Sequence, residues 1–149
     1  MTPDERQRLG TLCKCLDLGR VRLHRGGGGP GARVLRRMVL ALSRGRGVTL
    51  GNHVFLPDRA AVSLAVIAHE LTHCAQYQSW GPVRYYARGV AERLREVRWA
   101  LGLGPSPYSY DVEPGKPFER YRMEQQGQIV EDCFRGSARA AAISPYRPS

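Results

Sequence analysis

The sequence predicts one α+β domain, mainly helical, with a short β-sheet and one buried helix. Three observations carry this. A chain of 149 residues, 42% apolar and 24% charged, has the length and balance for one folded core but not for two. Apolar residues recur at helical spacing over most of the chain, whereas only a few short segments read as strands. One helical stretch is apolar nearly all round over its first half, which calls for burial.

Taken in order, residues 1–20 read as a short polar lead with Leu16 and Leu18 ahead of a glycine turn. Val21-Arg22-Leu23-His24 alternates apolar and polar and predicts a strand. Gly26 to Gly29 followed by Pro30-Gly31 is a loop, without the Lys-Ser/Thr ending of a phosphate-binding loop. Across 32–43, Val34, Leu35, Met38, Val39 and Leu42 stand at helical spacing, with Arg33, Arg36 and Arg37 on the other side. Val48-Thr49-Leu50 and His53-Val54-Phe55-Leu56 predict two β segments joined at Gly51-Asn52 and closed by Pro57-Asp58. Asp58 is suited to cap the buried helix, expected over 60–78.

Trp80-Gly81-Pro82 should break that helix. A third helix over 83–101 is expected to bury Val90, Leu94, Val97 and Leu101, leaving Glu92 and Glu96 among arginines on its solvated face. A long loop, 102–116, holds Tyr108 and Tyr110. Pro117 opens a fourth helix, 118–134, stopped by Gly136, and 137–149 reads as a loose tail.

The net charge is +10 and the pI about 10.1. Such a surface attracts nucleic acid, anionic lipid or an acidic partner without a dedicated site. All but two of the 23 basic residues are arginines, the lysines being Lys14 and Lys116, a skew that G+C-rich coding also produces. No basic run interleaved with aromatics argues for nucleic acid. The longest apolar run, about residues 64–68, is too short to span a membrane, and no apolar segment follows the charged start as in a signal peptide. The expectation is a chain that is cytoplasmic as made. The four irregularly spaced cysteines suit a reducing compartment, with Cys13 and Cys15 free and Cys74 and Cys133 packing as small apolar residues.

The chemistry lies in the buried helix, where His69-Glu70-Leu71-Thr72-His73 reads HExxH. Residues four apart stand one above the other on a helix, so two imidazoles can bind one metal from the same face. Glu70, about a third of a turn round, sits beside that metal and can take a proton from its bound water. Zinc suits imidazole plus carboxylate with an open position. The HExxHxxGxxH extension is missing, because Gln76 and Ser79 stand where its Gly and last His would be. His24 and His53 lie upstream, so the third ligand is expected among the downstream carboxylates Glu92, Glu96, Asp111, Glu113, Glu119, Glu124, Glu131 and Asp132. On the fourth helix Met123, Gly127, Val130 and Phe134 form the core stripe. Glu124 lies at its edge, and Gly127 leaves room for a close helix approach. Glu131 sits at a similar angle two turns on, Glu119 lies at the opposite edge, and Asp132 points away. Geometry prefers Glu124, with Glu131 and Glu119 left open.

The stretch 21–78, with Gly51-Asn52-His53-Val54-Phe55 ahead of His69-Glu70-Leu71-Thr72-His73-Cys74-Ala75-Gln76, resembles the zinc-metallopeptidase core domain associated with extracellular contractile injection systems. Tyr108-Ser109-Tyr110-Asp111, Gly115-Lys116-Pro117-Phe118 and Glu124 to Asp132 resemble HExxH proteins found near, or fused to, type VI secretion spike (Vgr-type) proteins. The paired HELTHxxQ and EQQxxIV runs are the most particular feature of the likeness. Cys74, Gly127 and Cys133 depart from it, standing where Val, Ala and an aromatic residue are common. The resemblance implies a zincin-like, gluzincin-type fold with His69, His73 and Glu124 as ligands of one Zn²⁺ and Glu70 as general base.

The expected function is therefore a zinc metalloendopeptidase that hydrolyses peptide bonds by Glu-assisted attack of zinc-bound water. It would serve as a toxin-like effector or processing protease of a contractile injection or type VI secretion apparatus, exported without a signal peptide. The alternatives are an inactive zinc-binding zincin module for assembly or cargo, and a basic nucleic-acid binder with a structural metal. An oxyanion donor is sought among His53, Tyr85, Tyr86, Tyr108, Tyr110 and Tyr121, none singled out. The strand over 48–56 is a candidate edge for an extended peptide.

Overall fold

The computed structural model describes residues 1–25, 34, 47–57 and 62–149. The glycine-rich loop, most of the 32–43 stretch and Asp58 lie outside the described residues. The chain enters through α1 (Pro3–Arg8), closed by a reciprocal pair in which Thr2 Oγ1 accepts from Glu5 N and Glu5 Oε2 accepts from Thr2 N. A second turn, α2 (Thr11–Lys14), follows at once. The expected polar lead instead belongs to the core, because Leu9 and Leu12 are fully buried on its inner side.

Strands β1 (Arg22–His24), β2 (Val48–Leu50) and β3 (His53–Phe55) form a sheet in the order β1-β3-β2. β1 pairs parallel to β3, and β2 and β3 form an antiparallel hairpin. The hairpin turns at Gly51, whose φ of 63° is the left-handed conformation that glycine takes without strain. Among the described residues β1 and β2 are both edge strands.

Helix α3 (Leu64–Ala100) is capped by Ser63, whose Oγ accepts from Val66 N at 3.4 Å. It starts a turn later than the sequence suggests. At Trp80-Gly81-Pro82 no loop separates the expected helices. Gly81 alone leaves helical geometry (φ 75°, ψ 167°) and Pro82 opens the second limb directly. The first limb, 64–80, buries Ile67, Ala68, Leu71 and Cys74 against Val54, Leu56, Ile129 and Val130.

The second limb presents the face opposite to the one expected. Val90, Leu94, Val97 and Leu101 are exposed, whereas Tyr85 and Glu92 are buried and turn towards the body. Tyr85 is the anchor, donating its hydroxyl to Thr49 O at 3.0 Å and packing edge-on to Tyr77. One fixed aromatic decides which side of a helix faces inward, and the apolar stripe is carried outside.

The expected fourth helix is split into a 3₁₀ turn (Phe118–Arg120) and α4 (Met123–Phe134), and α4 packs along the first limb of α3. The tail is docked rather than loose. Ser137 caps a short α5 (Ala138–Ala141), Ala140 is fully buried, and Tyr146 stacks edge-on to Phe118. Arg147 N donates to Thr11 Oγ1 at 3.1 Å, tying the tail to α2. Removing 137–149 is expected to cost the burial of a few apolar side chains, about 3 kcal/mol, and to lower the melting temperature by roughly 5–10 °C in calorimetry. No helix among the described residues is long and apolar enough to cross a membrane.

Candidate metal centre

His69, Glu70 and His73 lie on the buried side of the first limb, one turn of α3 bringing the two imidazoles together. Their Nε2 atoms are 3.2 Å apart. Glu124, in the first turn of α4, completes the group: Oε2 lies 3.6 Å from His69 Nε2 and Oε1 3.6 Å from His73 Nε2. One donor atom from each residue falls within 4.8 Å of the others, the arrangement that could hold a metal ion. A carboxylate in the first turn of α4 is also favoured by the helix dipole. The helices approach this closely because of Gly127, where a Cβ would stand 2.8 Å from His69 Nε2.

The surroundings hold each side chain in place. His73 Nδ1 donates to Gln76 Oε1 at 2.8 Å; Gln76 Nε2 donates to Gln126 Oε1 at 2.9 Å and to Met123 O at 3.2 Å. Gln126 Nε2 in turn donates to Tyr121 O at 2.8 Å. Behind the other imidazole, Glu131 Oε2 lies 3.0 Å from His69 Nδ1, although off the axis of its N–H. Glu70 Oε2 accepts from Thr49 Oγ1 at 2.7 Å, and the same hydroxyl is 3.0 Å from Glu70 O. Gly47 leaves space for Glu70, since a Cβ there would be 2.6 Å from its Oε1.

The group sits in a cleft of about 910 Å³ whose walls include β2, the start of the second limb of α3, and α4. Of the sequence-level ligand candidates, Glu124 joins the histidines and Glu131 stands behind His69. Glu92 and Glu96 line the cleft wall, paired with Arg95 and Arg93, rather than facing solvent. Asp111, Glu113 and Glu119 are exposed, and Asp132 accepts from Tyr110 Oη at 2.8 Å, away from the centre. Tyr85, Tyr86 and Tyr108 line the cleft. His53 does not, being exposed and stacked on His24 with ring centres 5.2 Å apart. Tyr110 and Tyr121 face other partners. Cys74 is buried in the core, as expected.

A family model described as the eCIS core domain matches residues 5–81, just over half of the chain. The chain belongs to the eCIS core domain family. The match spans the sheet and the first limb of α3 with His69, Glu70 and His73, and it ends at the kink at Gly81, before α4. Over 66 residues this eCIS core domain chain is 39% identical to the type VI secretion system spike protein VgrG2b of Pseudomonas aeruginosa, covering 44% of this chain but 6% of that protein. The chain thus spans a small fraction of the length of that relative. No solved structure matches it.

Gln76, Gln126 and Thr49 escape a reading that searches titratable side chains, although both glutamines lie in the two motifs that the resemblance marks as particular. Gln76→Ala in this eCIS core domain is expected to weaken metal binding by about 10–100-fold, measured by competition with a chromophoric chelator, because His73 loses the partner that orients it.

The cluster is electrostatically coupled. Burial pulls the His69 pKa down, but Glu124 and Glu131 outweigh it and push it up to about 10. Burial opposes ionisation of Glu124 as well, yet the two imidazoles hold it far below the usual carboxylate range. Burial raises Glu70. A metal at His69 therefore competes with a proton held well above neutral pH. Between pH 6.5 and 8.5 its apparent affinity is expected to rise, by up to about ten-fold per unit for each proton displaced. Calorimetry in buffers of different ionisation enthalpy would count those protons.

Proposed function

We propose that this chain is a zinc-dependent peptidase working with a contractile injection or type VI secretion apparatus, as an effector or a processing protease. The observation that carries the reading is the convergence of His69, His73 and Glu124 on one point at the floor of a cleft, with Glu70 beside them. The donors fit zinc. Two imidazole nitrogens face each other at 3.2 Å beside a half-buried carboxylate, with Gln76 bonded behind His73 and Glu131 close behind His69, in a set of nitrogen and oxygen donors that leaves room for substrate. A zincin-like fold belongs to the same proposal, supported by a small sheet beside the HExxH helix and by a carboxylate from the following helix.

His69, His73 and Glu124 would hold the ion. When bound, zinc supplies a Lewis acid that polarises a carbonyl and makes water a nucleophile near neutral pH. The chain's own residues do the rest. Thr49 holds one oxygen of Glu70, which leaves the other to take a proton from the attacking water and return it to the departing amine. Burial, which raises Glu70, favours that exchange. The edge of β2, unpaired among the described residues, and the cleft wall opposite give an extended peptide a place to lie. The link to a secretion apparatus is supported by the family and by the name of the spike-protein relative.

Incubating the zinc-loaded protein and Glu70→Gln with a proteome-derived peptide mixture, followed by mass spectrometry, tests the reading. Cleavage by the wild type alone supports it. No cleavage by a wild type that holds zinc would leave a metal-binding module.

A further inference from the structure

The second limb of α3 carries an apolar stripe with a regular period. Val83, Ala87, Val90, Leu94, Val97 and Leu101 are spaced 4, 3, 4, 3 and 4 residues apart, the alternation of a coiled-coil seam. The stripe runs about 27 Å along the helix. All six are exposed, Val83 by 84% and Leu94 by 62%. The face that meets the body is the opposite one, where Tyr85 and Glu92 are buried. Scattered exposed apolar residues are ordinary, but a continuous row of them in heptad register is the mark of an interface.

The flanks of the seam choose the occupant. Arg84 and Arg98 border it on one side and Arg93 on the other, with no carboxylate at these bordering positions. Glu92 and Glu96 line the cleft together with Val90 and Arg93, and Glu96 pairs with Arg93. A second copy in the antiparallel sense would set Arg84 against Arg98, and in parallel it would offer Arg98 only the already paired Arg93 of its neighbour. Neither sets a carboxylate opposite Arg84 and Arg98, where coiled coils normally place unlike charges. The chain's own amphipathic stretch, 32–43, carries Arg33, Arg36 and Arg37 and is mismatched in the same way.

We propose that this seam docks an amphipathic helix of a partner whose apolar a and d positions are flanked by Glu or Asp. The partner helix lies along the outer face of the second limb and buries the row from Val83 to Leu101. Its acidic flank meets Arg84 and Arg98. The seam borders the cleft, which Val90 and Arg93 also line, and docking there does not depend on the reaction performed in the cleft.

The test uses the whole chain and a labelled three-heptad synthetic peptide with Leu at a and d and Glu at e and g. A control peptide has the same core and Lys at e and g. Fluorescence anisotropy should show binding of the Glu peptide that weakens with salt, at least about ten-fold weaker binding of the Lys peptide, and loss of binding in Leu94→Gln/Val97→Gln. Both substitutions are at exposed positions, and circular dichroism and melting temperature would verify the fold. Three results would overturn the proposal: binding of neither peptide, equal binding of both, or undiminished binding by the double variant. Sedimentation that revealed self-association through the seam, abolished by the double variant, would make the occupant a second copy instead.

Discussion

Glu70→Gln is expected to keep zinc at the wild-type stoichiometry while lowering peptide hydrolysis by about 10²–10⁴-fold. The amide has the same shape as the carboxylate, and its oxygen can still accept from Thr49 Oγ1, so the packing against Gly47 is preserved. What is lost is the carboxylate beside the metal donors that can accept a proton and give it back. Metal content by elemental analysis and cleavage rate by mass spectrometry separate the two effects. A variant that stayed fully active would remove Glu70 from the role of base.

The second large effect concerns the ligands themselves. Wild-type protein should hold about one zinc per chain, and His73→Ala and Glu124→Ala should each lose it. A structural zinc site is worth about 10–16 kcal/mol over its ligands, so one ligand represents two to three orders of magnitude in affinity. Glu131→Gln should behave differently. Glu131 stands behind His69 rather than among the donors, so about 10–100-fold weaker binding with retained stoichiometry is expected. If Glu124→Ala kept its zinc and Glu131→Gln did not, the two carboxylates would exchange roles.

The regions of this molecule that are legible in its sequence are those where one local rule decides. HExxH is such a case, since four residues on a helix bring His69 and His73 together whatever surrounds them. Glu124 follows from the stripe of α4, because Gly127 marks where a second helix can come close. The hairpin is legible from Gly51-Asn52 between two β-rich segments.

Periodicity misleads on the second limb of α3. A stripe of Val and Leu predicts a face turned to the core, yet here it is exposed, and the inward side is the one from which Tyr85 reaches Thr49 across the fold. The tail misleads for the opposite reason. Its small residues have no period, yet Ala140 is fully buried. The glutamines and Thr49 are easily passed over because neutral amides and hydroxyls declare no chemistry until their partners are known.

The hydrogen bonds behind His73 settle more than its position. They end on the carbonyls of Met123 and Tyr121, which can only accept. That terminus dictates which end of each carboxamide points where, first in Gln126 and then in Gln76, and so obliges His73 to keep its hydrogen on Nδ1. A neutral imidazole in solution divides itself between two tautomers, only one of which offers Nε2 to a metal. Here the backbone of a neighbouring segment makes that selection when the chain folds, so in the proposed role of this site a metal ion would require no change of tautomer at His73.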